Sequence, residues 1–199
     1  MDGHPPLGRS ELPIDTIALA RYLIGTVLVR ELPEGIASGR IVETEAYVVG
    51  DAAGHAYRGI TPRNRSLFLE RGHAYVYLAY GISCMLNVSS EMPGVGAGVL
   101  IRALEPLEGV PIMRHNRGIE RLRDLARGPG RLAAALRVDR LLDGLDLCRE
   151  GPLWLGRGDH EPGEIGQSIR IGISREADRV LRFYLRGSPF VSGSKSLNE

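Results

Sequence analysis

The sequence predicts a single α+β domain, a mainly antiparallel sheet with flanking helices. Three observations lead there. A chain of 199 residues with 43% hydrophobic content fits one core of ordinary size. No internal repeat, linker or shift in composition divides it. Short alternating runs follow one another through tight turns, as hairpin strands do, and helical stretches lie at their flanks.

Residues 1–12 read as a loose, flexible arm, 13–192 as the domain and 193–199 as a polar tail. Residues 14–22 form a helix, with Asp15 or Thr16 as its cap and Gly25 as its stop. A strand over 26–32 turns at 33–35 into a second strand over 39–47. Gly50, Gly54, Gly59 and Pro62 make 48–65 a long loop, the kind of segment that often carries function. Residues 74–80 and 85–89 pair around Gly81, and 99–104 is a further strand. Helical stretches are expected at about 107–116, 118–125 and 129–137, and late strands at 169–173 and 181–186.

Composition excludes several classes. Cys84 and Cys148 form no CxxC pair, so neither a disulfide framework nor a structural zinc site is expected. The five histidines make no HxxxH or HExxH pattern, and the sequence calls for no metal and no cofactor. There is no Walker loop, dinucleotide fingerprint or Ser-His-Asp pattern. The N-terminus lacks the basic start and apolar run of a signal peptide, and no apolar stretch reaches bilayer length. A cytoplasmic, soluble protein is expected, and a monomer, since no hydrophobic stripe demands a partner. The net charge is only +1, yet Lys195 is the sole lysine among 25 basic residues. Arginine grips phosphate in bidentate fashion and stacks on bases, which suits a nucleic acid.

The chemistry concentrates between Gly39 and Arg102. Glu43 and Glu45 lie two apart on a strand, so they share a face, and Tyr47 continues it. Arg102 sits in an otherwise apolar strand, where a charge needs a partner. A carboxylate beside an arginine stays ionised and can orient or deprotonate water. Tyr75, Tyr77 and Tyr80 crowd one hairpin. Tyr80 precedes the turn glycine, where a ring would project and wedge into a base stack. His55 on the long loop and Asn87 on a strand could contact a base edge. Arg63 and Arg65 in Thr61-Pro-Arg-Asn-Arg65 suit phosphate, as does Arg131 beside the Gly-Pro turn at Gly128.

Four strings carry a resemblance: Arg40-Ile-Val-Glu-Thr-Glu-Ala-Tyr47, Thr61-Pro-Arg-Asn-Arg65, Arg102-Ala-Leu-Glu-Pro-Leu-Glu108 and Arg182-Phe-Tyr-Leu-Arg-Gly-Ser-Pro-Phe190. In this order they resemble the alkyladenine (3-methyladenine) DNA glycosylase family over residues 14–192. The resemblance implies one mixed domain around a curved antiparallel sheet, without metal or cofactor. It implies that Glu45 is the general base and that Arg102 helps hold the water. Tyr47, His55 and Tyr77 would sandwich a flipped base, Tyr80 would fill the gap left in the duplex with Ile82 beside it, and Asn87 would disfavour guanine. The implied partner is double-stranded DNA carrying alkylated purines, 3-methyladenine first. With Lys195 as its one lysine, the enzyme would be monofunctional, because strand-cutting glycosylases use an amine. Two alternative readings stay open: a metal-dependent nuclease liganded by Glu43, Glu45 and Asp51, and a non-catalytic nucleic-acid-binding module.

Overall fold

The computed structural model describes residues 4–158, 163–194, 196 and 198. Among the described residues, three α-helices flank one curled antiparallel sheet, a single mixed α+β domain. Strands β1 (Val27–Leu32), β2 (Gly35–Tyr47), β3 (Ala74–Ala79), β4 (Ser83–Ser89), β5 (Gly98–Pro106) and β6 (Leu153–Gly156) lie in the order β3-β4-β5-β2-β1-β6. β7 (Ile165–Ser168) pairs with β8 (Arg182–Leu185), and β8 pairs with β2.

β2 organises the sheet. One edge pairs along β5, while the other serves β1 through Gly35 to Arg40 and then β8 through Glu43 to Glu45. The change of partner brings β8 alongside the Glu-x-Glu segment. Helix α1 (Thr16–Tyr22) is capped by Asp15, whose side chain accepts from the Ala18 N–H at 2.8 Å. It buries Leu19 and Ala20 and is tied to β2 by the Thr44 hydroxyl, which donates to Ala20 O. Leu28, Ile41, Val99, Ile101 and Leu104 fill the main core with Leu132 and Leu136.

Several expectations are corrected. Residues 4–12 do not hang free: the Leu7 N–H donates to Leu155 O, Trp154 Nε1 donates to His4 O, and Leu7 and Leu12 are buried. Residues 1–3 lie outside the described residues. Helices α2 (Val110–Arg117) and α3 (Pro129–Ala135) form, but 118–125 holds only a 3-10 turn, Leu122–Asp124. Gly118, at φ 63, takes the left-handed C-cap and stops α2. The strand expected at 169–173 is displaced to β7, and 169–173 runs as irregular chain. In the tail, Asn198 is held by Arg182 and by Ser192 O; Lys195 lies outside the described residues.

Gly109 opens α2 at φ 66, and a Cβ there would stand 2.7 Å from Ala37 Cα and press on the Ile36 carbonyl. Gly109→Ala is expected to cost about 2 kcal/mol or more, through strain and backbone collision together. Urea unfolding measures it; a midpoint equal to that of the unaltered protein would contradict this packing.

Candidate active site

Two irregularities in the β2–β5 ladder build the centre. Ile41 faces Leu104 and Glu43 faces Ala103, so Val42 is left over on β2. Thr44 then faces Ile101, so Arg102 is left over on β5. Extra residues of this kind bend a strand and re-aim its side chains. Ile41 and Ala46 point into the main core, whereas Glu43, Glu45 and Tyr47 gather on the opposite face beside Arg102.

Arg102 is shared by the two carboxylates. Its Nε donates to Glu43 Oε1 at 2.8 Å and its Nη1 lies 3.2 Å from Glu45 Oε1. Both glutamates are fully buried. Glu43 also accepts from Arg182 Nε at 2.8 Å, the Ser192 hydroxyl at 2.8 Å and the Ser192 N–H at 2.7 Å. Burial alone would raise the Glu43 carboxyl, but Arg102 and Arg182 outweigh it and hold it below its ordinary value of 4.5. Glu45 accepts from the Ile171 N–H at 2.7 Å and from the Tyr47 hydroxyl at 3.0 Å. For Glu45, burial dominates; Arg102, the Ile171 N–H and Tyr47 offset it only in part, so its carboxyl lies above 4.5. Two neighbouring carboxylates are thus pushed in opposite directions, the pattern that separates a basic group from a fixed charge.

A cavity of about 500 Å³ opens beside this pair. Tyr47, His55, Tyr77, Asn87 and Arg102 all line it, with Tyr75 as a further wall. The volume lies within the usual range of small-molecule sites. The His55 and Tyr77 ring centroids are 4.3 Å apart, and Tyr75 stacks on Tyr77 at 5.4 Å. His55 Nδ1 lies 2.8 Å from the Tyr75 hydroxyl. Burial, aided by the Arg63 charge, lowers His55 below 6.5, so its ring is neutral at neutral pH. Burial pushes Tyr75 up to about 12. Asn87 is pinned by its Nδ2 donating to Tyr75 O at 3.2 Å. Glu45 is not on the cavity wall. It meets the cavity through Tyr47 and Arg102, which are.

Tyr80 and Ile82 stand at the rim, 90% and 84% exposed. The turn is closed by the Ile82 N–H donating to Ala79 O, and both central residues, Tyr80 (φ 52) and Gly81 (φ 70), are left-handed. A tyrosine in that region is strained, and strain of this kind concentrates where function requires a placement. Arg63 also lines the cavity, its guanidinium 5.9 Å from the centre of the Tyr77 ring. Arg65 is exposed on the neighbouring 3-10 turn. Arg131 is exposed on α3, whose Gly130 abuts Ser83 beside the hairpin turn. Asn64, between the two loop arginines, is structural: it accepts from Thr61 and donates to His55 O and Gly59 O.

Some participants escaped the sequence. Arg170 is buried, paired with the Asp51 carboxylate, and its guanidinium lies 4.7 Å from the centre of the Tyr47 ring. It also donates to Ala46 O and Glu176 O, clasping β2, the long loop and the 171–176 segment together. Arg182 and Ser192 were missed likewise. A pairing between residues over a hundred positions apart leaves no local signal. A charged residue inside an apolar run, the clue that exposed Arg102, was equally present at Arg170 between Ile169 and Ile171. Asp51 and Glu43, offered as metal ligands in the nuclease reading, are each occupied by a guanidinium.

The sequence model of the methylpurine-DNA glycosylase (MPG) family matches residues 10–189. A Mesorhizobium japonicum protein, whose name assigns it provisionally as a 3-methyladenine DNA glycosylase, is 77% identical over 198 residues, all of this chain and 95% of that protein. A provisionally named counterpart from Paraburkholderia phytofirmans is 54% identical over 96% of this chain and 90% of its own length. The human DNA-3-methyladenine glycosylase is 44% identical over 88% of this chain and 64% of the human protein. A tyrosine- and histidine-walled cavity with a buried carboxylate pair behind it therefore sits in a chain matched along nearly its whole length, and that chain belongs to the methylpurine-DNA glycosylase family.

Proposed function

We propose that this chain is a DNA glycosylase of base excision repair that acts as a monomer on duplex DNA, releases alkylated purines, 3-methyladenine foremost, and leaves an intact abasic site. The observation that carries this reading is the aromatic cavity set against the Arg102-bridged carboxylates. Tyr47, His55 and Tyr77 supply faces for a flipped purine, and an alkylated purine, electron-poor or cationic, stacks well on electron-rich rings. Tyr80 takes the vacated place in the stack, with Ile82 against the neighbouring base pair. Asn87 crowds the amino group of guanine. Arg63, Arg65 and Arg131 contact the backbone.

In the chemical step Glu45 is the general base and Arg102 steadies it. Water oxygen bonds to the anomeric carbon, the electrons of the N-glycosidic bond leave with the base, and the water proton passes to Glu45. The raised affinity of Glu45 for a proton makes it the stronger base of the pair, while Glu43 remains a fixed negative charge. Glu45 borders the cavity through Tyr47 and Arg102, which line it. No lysine lines the cavity among the described residues, which supports a direct attack by water over an amine intermediate.

Glu45→Gln is expected to retain binding to lesion-containing duplex and to lose base release by at least about a hundredfold, the usual scale for a general base. Single-turnover release in EDTA tests this, and undiminished release would remove Glu45 from the chemistry. Release by the unaltered enzyme should fall on the acid side through a value above 4.5, since the base works only when ionised and burial raises its pKa. A profile flat down to pH 4 would contradict that assignment. Tyr80→Ala is expected to weaken lesion-duplex binding by about tenfold, with less effect on single strands, where no stack needs filling. Borohydride should trap no covalent adduct with DNA; a trapped adduct would end the monofunctional reading.

A further inference from the structure

Residues 189–193, together with Asn198, are bound into the centre from behind. Arg123 Nε donates to Pro189 O at 2.9 Å and Arg127 Nε to Val191 O at 2.7 Å. These two anchors deliver Ser192, 7% exposed, onto Glu43. Its N–H donates to Glu43 Oε2 at 2.7 Å and its hydroxyl to Oε1 at 2.8 Å, so one residue spans both oxygens of the carboxylate. The Ser192 hydroxyl also lies 3.4 Å from Arg102 Nη2, as its acceptor, and Ser192 O accepts from Arg182 Nη2 at 2.9 Å. Asn198 closes the arrangement, accepting from Arg182 and donating to Ser192 O.

Each contact has a direction. Arg102 reaches Glu43 through Nε and Glu45 through Nη1, so the orientation of Glu43 sets where the guanidinium meets Glu45. Three rotatable side-chain bonds set the place and tilt of the Glu43 carboxyl. Holding both oxygens removes that freedom, and a misplacement of a fraction of an ångström at a reacting group is costly. A hydroxyl that gives its proton to the carboxylate and its lone pair to the guanidinium serves both charges at once.

We propose that Ser192 is a positioning residue of the active site, which locks Glu43 so that Arg102 presents its guanidinium to Glu45. The C-terminal segment is on this view part of the catalytic apparatus, though it touches neither base nor sugar. The proposal rests on Glu45 as the base.

The test compares single-turnover base release from 3-methyladenine duplex by the full chain and by Ser192→Ala and Ser192→Thr. Ser192→Ala keeps the N–H contact and loses the hydroxyl. Its release rate is expected to fall by about tenfold, the scale of one hydrogen bond to a charged group, with affinity for lesion duplex within about twofold. Threonine, which keeps the hydroxyl, should recover most of the rate. The acid limb of the alanine variant should move to higher pH, because a looser Arg102 favours the ionised Glu45 less. The charged and titratable groups facing the pair are Arg102 from β5, Arg182 from β8, Tyr47 from β2 and Tyr77 from β3, with Arg170 behind Tyr47; all are retained in both variants. Thermal unfolding and lesion binding separate misfolding from misplacement. An alanine variant with the full rate and an unmoved limb would overturn the proposal, as would a threonine variant as slow as alanine. A lowered melting temperature with the full rate would make Ser192 a stability residue only. Absence of base release by the unaltered chain would instead strike the function reading itself.

Discussion

One guanidinium shared between two buried carboxylates is the constraint on which the rest depends. Ionised groups of that size are expensive to remove from water, and they persist in an interior only when closely paired and hydrogen-bonded. Arg102 alone would leave two negative charges against one positive. Arg182 supplies the second cation, and Ser192 and the Ile171 N–H satisfy oxygens that remain. Meeting that requirement draws β8, the C-terminal segment and the 171–176 segment onto the end of β2. The aromatic cavity is then what lies between this charged seam and the β3–β4 hairpin.

The same constraint separates the carboxylates chemically. Glu43 takes the larger share of the donors, with two guanidinium groups and both polar groups of Ser192. Glu45 holds one guanidinium at a longer distance, one backbone N–H and one phenol. The difference follows from neighbours rather than from residue type, since the strand offers two identical side chains two positions apart: Glu43 meets Arg182 and Ser192, Glu45 the Ile171 N–H. Regular alternation from Ile41 would have put Glu43 and Glu45 into the apolar core. The extra residue at Val42 carries both to the other face.

Much of the fold was legible because its signals are local. Alternation marked β2, strand-like runs between turns marked the other four of β1 to β5, Asp15 or Thr16 announced the cap of α1, and a tyrosine before a turn glycine marked the rim. Glu43, Glu45, Tyr47 and Arg102 were grouped from parity and from one charge in an apolar strand, and they do meet. What failed involved distant partners. Ile169-Arg-Ile-Gly-Ile173 alternates like a strand, but the Ile171 N–H goes to the Glu45 carboxylate and Arg170 turns inward to Asp51. A ladder cannot continue where its donors are taken by side chains. The first residues looked like an arm because proline and glycine obscure the buried Leu7 and Leu12. Ser192 and Arg182 carried no local mark, because Glu43, the carboxylate they share, lies more than a hundred residues away.

The left-handed Tyr80 sets backbone stability against the display of an aromatic ring at a single residue. Glycine accepts that backbone without strain, so by folding energy alone it is the better occupant of the turn, by about 1 kcal/mol. It would also remove the one large ring that the hairpin holds out to solvent. The fold therefore carries a local cost that selection for thermal stability alone would erase, and the exposed ring with it.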